Sequence, residues 1–184
     1  MFHRSERLLL RPGWAEDARE LAARIGDLAI VRNLSQVPWP YGEEHAAEWL
    51  ARAQAPKLPE FLLTLPGSRG AAIIGACGLH AGESGPEMGY WIARDRWGQG
   101  FATEAARAVV RIAGLLGHRR LIACHAIDNP ASGRVLRKAG FVPTGRTRTI
   151  HSRGRGCDVA AQEFAAELGE CIGDNDPSVM PKAA

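Results

Sequence analysis

The sequence predicts an α+β fold, one mixed sheet with helices between its strands. Three observations carry this expectation. Three apolar runs, "EFLLTLP" (60–66), "AAIIGACGLH" (71–80) and "EMGYWIA" (87–93), follow one another with only turn residues between them. A strand–helix–strand unit then occupies 87–127, and "FVPTGRTRTI" and "CDVAAQEFAAEL" close the chain as two more strands. Strict alternation of strand and helix, the mark of a doubly wound sheet, is missing. At 184 residues, 46% hydrophobic and 23% charged, the chain is long enough for one domain with a sizeable core. That domain is expected over 1–168, with 169–184 a loose polar tail.

Taken in order, "RLLLRP" (7–12) is a short apolar strand closed by proline. "WAEDARELAARIGD" (14–27) places Ala18, Leu21, Ala22 and Ile25 at helical spacing, with acids toward its start. The Pro-Trp-Pro-Tyr-Gly cluster is a loop, and "EEHAAEWLARA" after it is an amphipathic helix. "GSRG" joins the first two strands of the meander as a hairpin, and "AGESGP" turns the chain into the third. Ala105, Val109, Ile112, Ala113 and Leu116 share one helical face, and Gly117 stops that helix. "RLIACHAI" (120–127) is a strand. "DNPASGRVLRKAG" is a short helix that Asp128 or Asn129 caps, Pro130 opens and Gly140 ends.

Composition excludes several classes. A net charge of +3 is far short of a nucleic-acid footprint. No window approaches the ~18 apolar residues of a membrane span, and "MFHRSERLLLRP" is not a secretory leader. The expectation is therefore a cytoplasmic protein without membrane or nucleic-acid partners. The four cysteines stand far apart with no C-x-x-C pair, and the six histidines form no metal-binding pattern, so no metal is expected. Cys77, Cys124 and Cys157 read as small buried hydrophobes in strands.

The stretch "RDRWGQGFATEAARAVV" (94–110) raises the functional question. A helix N-terminus presents unpaired N–H groups and partial positive charge, so it suits an anion. Gly98 and Gly100 before Ala102 and Thr103 would let phosphate oxygens reach the backbone. On spacing alone such a Gly-x-Gly is more often just an ordinary turn. The stretch is not a Walker A loop, because no Lys-Ser/Thr follows, and it lacks the third glycine of the dinucleotide fingerprint.

Four segments in order, "SERLLLRP", "PWPYGEEHAAEWL", "EMGYWIARDRWGQGFATEAARAVV" and "DNPASGRVLRKAGF", resemble the GNAT superfamily of acyl-CoA-dependent N-acyltransferases, and more closely its RimJ/RimL-like branch. The resemblance covers roughly 5–166. It implies the GNAT fold, a central, mostly antiparallel mixed sheet of about seven strands splayed in the middle and flanked by helices. In the family's Arg/Gln-x-x-Gly-x-Gly/Ala loop, Gly100 and Ala102 fill the last two named places, whereas Trp97 stands where Arg or Gln is usual. By resemblance, the N–H groups of Gly98, Gln99, Gly100, Phe101, Ala102 and Thr103 hold the pyrophosphate of acetyl-CoA, and Trp97 counts with them among the cofactor-binding residues. Tyr90, Trp91 and Ile92 lie beside the pantetheine, and Asn129 and Ser132 contact the cofactor arm. For Asn129 a helix cap is the alternative, and the two roles use different atoms.

The resemblance implies acetyl transfer to a primary amine, a protein N-terminus or a small molecule, by direct attack in a ternary complex. Such transfer needs a base for the ammonium, a donor for the developing oxyanion and a proton for the leaving thiolate. Glu87 is the candidate base, with a solvated strand-end carboxylate as its alternative. Ser132 is the candidate acid, with a serine bonding its own helix backbone as its alternative. By analogy the Ile92 N–H faces the oxyanion. Glu104 reads as structural. Cys124 and His125, adjacent in a strand, point to opposite faces and make no nucleophile–base pair. Trp39, Tyr41 and Trp91 are candidate linings of an acceptor pocket, with core packing as the alternative. Arg146, Arg148, Arg153 and Arg155 read as a solvated hairpin, or else as a lure for an acidic acceptor or the 3′-phosphate of CoA. A homodimer enters from the resemblance alone. The rival function is a non-catalytic acyl-CoA-binding module of the same fold.

Overall fold

A computed structural model of the chain describes residues 1–52, 55–67 and 70–169. Most of the expected tail therefore lies outside the described residues. Eight strands form one sheet: β1 (His3–Arg4), β2 (Leu9–Arg11), β3 (Glu60–Gly67), β4 (Gly70–Gly82), β5 (Gly85–Ile92), β6 (Arg120–Ala126), β7 (Val142–Ser152) and β8 (Cys157–Glu167). Their spatial order is β1-β2-β3-β4-β5-β6-β8-β7. Every neighbouring pair is antiparallel except β5 and β6. The sheet is the mixed, helix-flanked one that the sequence predicts, and β1, only two residues long, is the strand that no apolar run announces.

β3 shows how the sheet makes two cores. Phe61, Leu62 and Leu63 are all buried, and a strand sends successive side chains to opposite faces. Phe61 and Leu63 join the larger cluster under α4 (Phe101–Leu115), whereas Leu62 joins Leu21, Ala46 and Ile73 under α1 (Ala18–Ile25) and α3 (Glu43–Ala51). The predicted 14–27 helix is in fact a 3-10 turn over Ala15–Asp17 followed by α1, because Asp17 turns inward. Its carboxylate takes both terminal nitrogens of buried Arg11 at 2.7 Å and the Trp14 N–H at 2.8 Å. After Gly26 a separate short helix, α2 (Leu28–Val31), is capped by Asp27, which accepts from the Ala29 N–H at 2.8 Å.

On the opposite face, α4 buries the predicted stripe of Ala105, Val109, Ile112 and Ala113. It ends where Gly117 takes φ +84° and the His118 N–H reaches back to Ala113 O at 3.0 Å. The last helix, α5 (Pro130–Lys138), packs beside it. Of the three cysteines named above, Cys77 is buried, Cys124 partly so, and Cys157 is exposed. Cys157 opens β8 at the rim of a hairpin, where no second layer covers it.

Candidate active site

The sheet is split in its middle. β5 and β6 share a single parallel pairing, Glu87 with Ile122, and then diverge. Against β4, Ile92 lies opposite Gly75, while the next residue's N–H, Ala93, bonds Ile74 O at 2.8 Å. Alternation in an antiparallel ladder then directs the N–H groups of Tyr90 and Ile92 away from β4, toward the split. Period-two alternation also sorts the side chains. Met88, Tyr90 and Ile92 belong to the α4 face, whereas Glu87 and Trp91 face the α1–α3 side.

On the α4 face, β5 runs into the glycine turn. The Trp97 indole N–H donates to Ile92 O at 2.6 Å, tying the turn to the strand end. Gly98 and Gly100 adopt φ +73° and +84°, a left-handed region that side chains other than glycine rarely enter. The first helical hydrogen bond of α4 is from the Glu104 N–H to Gly100 O, 3.1 Å. The N–H groups of residues 98–103 have no acceptor among the described residues, which is the condition for receiving an anion.

The turn is held from behind by Glu104. Its carboxylate accepts from the Arg7 N–H and the Ser5 hydroxyl, both at 2.7 Å, and pairs with the Arg7 guanidinium at 2.8 Å. Burial works against this charge, but these hydrogen bonds outweigh it and hold the carboxyl below its ordinary pKa. The Arg7 side chain also reaches Gln99 O at 3.0 Å. The Gln99 side chain itself turns back to Asp95 O, so only its backbone belongs to the turn.

One helix turn along, Asn129 Oδ1 accepts from the Ser132 N–H at 3.4 Å, which is a cap geometry. The Ser132 hydroxyl lies 2.7 Å from the Tyr90 hydroxyl, and Tyr90 also donates toward Ser132 O at 3.2 Å. Burial pushes the pKa of Tyr90 well up, the Ser132 hydrogen bond opposing it. This contact bridges β5 and α5 across the split.

The other face carries the charges. Glu87, its side chain only 15% exposed, pairs with Arg148 Nη1 at 3.3 Å. The same nitrogen is 3.8 Å from buried Glu163, and Arg148 Nη2 is 3.8 Å from Glu83. Glu163 in turn accepts from the Thr144 hydroxyl at 3.0 Å. Cys124 Sγ lies 3.6 Å from Arg148, and burial together with Glu87 pushes its thiol pKa up to about 11. A thiol so placed stays protonated and is no nucleophile at neutral pH. Its neighbour His125 points the other way, as expected. His125 Nδ1 sits 2.8 Å from Ala126 O, its ring stacks 5.3 Å from Phe164, and its Nε2 is buried without a partner among the described residues. The space it occupies explains Gly133, where an added Cβ would stand 2.6 Å from that Nε2.

Both faces open into one cleft of about 510 Å³. Its lining brings together Glu87, Tyr90, Trp91, Ile92, Trp97, Gly98, Gly100, Phe101, Ala102, Thr103, Asn129 and Ser132. It does not include Gln99, Trp39 or Tyr41. Trp39 is exposed. Tyr41 packs against the α1–α3 cluster and the His45 ring, 5.3 Å away, and burial raises its pKa to about 12.

In their place the cleft takes Ile30, Asn33, Leu34 and Ser35 from α2 and the segment after it, and Ile150, Ser152 and Val159 from the β7–β8 hairpin. The basic hairpin is accordingly not simply solvated. Arg155 pairs with Asp128 at 2.7 Å and donates to Arg32 O at 2.6 Å, the Arg153 N–H bonds Ser35 O at 2.9 Å, and Arg148 turns inward. A signal for Arg148 was present, since Arg148, Ile150 and Ser152 alternate onto one face of a strand. Nothing local names its partner Glu87, 61 residues away.

Residues 7–142 match the family model described as Acetyltransferase (GNAT) domain, and the chain belongs to that family. Among curated proteins it is similar to the uncharacterized N-acetyltransferase YoaA of Bacillus subtilis strain 168, with 39% identity over 80 residues. That match covers 41% of this chain and 45% of the relative, so the chain is matched to less than half of that protein's length. Solved structures share the fold. A GNAT-family acetyltransferase from Bacillus anthracis superposes with TM-score 0.77 at 23% identity, covering 91% of this chain and 99% of its own. RimL, a ribosomal L7/L12 α-N-protein acetyltransferase solved with coenzyme A, gives 0.76 at 19%, covering 91% and 98%. The microcin C7 self-immunity acetyltransferase MccE, solved with acetyl-CoA and AMP, gives 0.73 at 16%, covering 89% and 93%. Among the described residues no helix is long and apolar enough to cross a membrane.

Proposed function

We propose that the protein is an N-acetyltransferase of RimL-like type that moves an acetyl group from acetyl-CoA to an amine by direct attack in a ternary complex. The observation that carries this reading is the sorting of β5. Its α4 face meets the N–H turn and the Tyr90–Ser132 contact, its opposite face carries Glu87, and both faces open into one cleft. An acetyl donor whose pyrophosphate rests on the turn extends its thioester along Tyr90–Ile92, and the acceptor approaches from the Glu87 side.

Each group then has one task. Arg148 holds the Glu87 carboxylate in place, and Glu87 takes the proton of the acceptor ammonium, directly or through water. The Ile92 N–H, directed into the split, stabilises negative charge on the thioester oxygen. As the N–C bond forms and the C–S bond breaks, the Ser132 hydroxyl passes its proton to the departing thiolate, and the second proton that the nitrogen sheds in becoming an amide restores the hydroxyl. Asn129 and the turn of residues 97–103 hold the donor. Trp97, in the place of the usual Arg or Gln, acts as a strut from the turn to Ile92 O. Glu104 stays in its hydrogen-bonded pocket behind the turn.

The test is thiol release from acetyl-CoA across a panel of amines, alongside calorimetric binding of acetyl-CoA. Release that depends on an amine is the expected result. Tight binding without release on any amine would overturn the reading in favour of a sensing module.

A further inference from the structure

Resting on the acetyl-transfer reading, we infer the acceptor's chemical class: a compact amine with an apolar body and no free carboxylate. The walls above Glu87 point to it. On the acceptor face, residues rise from the charged floor along the β7–β8 ladder, where Ile150 lies directly opposite Val159 and Arg148 opposite Ala161. Ile30 and Leu34 close the cleft from the other side. Apart from His80, which lies opposite Glu87 on β4, the surface beyond the base is thus mainly hydrocarbon.

Two polar side chains of this roof are engaged within it. The Ser152 hydroxyl donates to Leu34 O at 3.3 Å, and the Asn33 amide donates to Ala29 O at 2.8 Å. Four contacts from the hairpin, from Ser152, the Arg153 N–H, the Arg153 side chain and Arg155, fasten it to the 32–36 segment. Such a roof limits the acceptor to something small.

The charges argue against an acidic acceptor. Arg148 is already shared among Glu87, Glu163 and Glu83, three carboxylates to one guanidinium. Arg32 and Arg155 share Asp128, at 3.2 and 2.7 Å, on the side of the cleft nearer the hairpin turn. At Glu87 a carboxylate on the acceptor would meet this excess of negative charge, whereas an ammonium is attracted. The apolar body rests against Ile150 and Val159, the amine reaches Glu87, and the products are an N-acetylated amine and the free thiol of CoA.

The experiment uses the whole chain with acetyl-CoA and three acceptors that share one side chain: 2-phenylethylamine, phenylalanine and a tetrapeptide beginning with phenylalanine. Expected is a kcat/KM for 2-phenylethylamine at least about tenfold above the other two, a margin within reach of an apolar pocket and a mismatched charge. Ile150→Ser should raise KM for 2-phenylethylamine about tenfold and leave KM for acetyl-CoA unchanged, with Ile150→Val intermediate. Equal or better use of phenylalanine or the peptide overturns the acceptor class and leaves acetyl transfer standing. An unchanged KM in a folded Ile150→Ser overturns the apolar wall. Acetyl-CoA binding without thiol release on any acceptor overturns acetyl transfer and this inference with it.

Discussion

The two faces of β5 are built in opposite ways. The α4 face is continuous in the chain: strand, glycine turn, helix, one more strand and the Asn129–Ser132 cap all fall between 87 and 132. The opposite face is assembled from pieces that sequence keeps far apart, α2 and its following segment at one end and the β7–β8 hairpin more than a hundred residues later. Contiguity gives the first face a rigid backbone frame set by helix ends and left-handed glycines. The second face depends on side-chain ties, Arg148 to Glu87 and Arg155 to Asp128, and these leave its walls free to differ between relatives that share the first.

If the faces divide the labour in this way, their mutations should separate cleanly. The largest expected effect is from Glu87→Gln, a fall of about 10²-fold or more in kcat/KM for the amine with acetyl-CoA affinity unchanged by calorimetry. An equal loss of acetyl-CoA binding would break the division. Ser132→Ala and Tyr90→Phe should each lower kcat by about tenfold to a hundredfold without changing acetyl-CoA affinity. Because their hydroxyls touch, the double variant should lose little more than either single one. Additive losses would mean that the two hydroxyls act separately.

Gly100→Val forces a β-branched residue to φ +84°, at a cost of about 1–3 kcal/mol. It should weaken acetyl-CoA about tenfold and leave the KM of the amine alone. Glu104 adds a pH signature to the same face. Its pKa is lowered in the folded state, so its contribution to stability is full above the ordinary carboxylate range of about 4.3 and is lost as pH falls through the lowered value. Asp17, also lowered, contributes in the same direction. Glu104→Gln should therefore flatten the fall of Tm on acidification, measured by thermal melts between about pH 3 and 7. The smallest effect belongs to the roof. Arg155→Ala should cost about 1 kcal/mol or less and raise only the amine KM, a few-fold.

The same contrast decides what could be read in advance. The α4 stripe, the glycine turn and the meander were legible because each rests on local rules of helical period, left-handed glycine and strand alternation. The pairing of Tyr90 with Ser132 was not, although both residues stood out, because it depends on how α5 docks beside the split. The acceptor side was misread where composition stood in for geometry. Tyr41 has the aromatic character of a pocket lining, yet it faces the α1–α3 core. Arg148 belongs to a run that looks like solvated surface, yet strand alternation turns it toward Glu87. Trp97, a departure from the family loop, becomes intelligible only through its hydrogen bond to Ile92 O.

The single pairing of Glu87 with Ile122 has a mechanical consequence. At that pairing the sheet's run of five strands meets its run of three, with α4 packed on β4 and β5 and α5 on β6. Deformation concentrates at that spot because opening it further breaks few ladder bonds, while every other strand contact resists. The Tyr90 and Ile92 amides on the free edge should exchange with solvent faster than those of Gly89 and Trp91 on the same strand. The residue at that pairing, Glu87, is the one proposed to take the proton, so the proposed base sits where the two runs of the sheet stay joined.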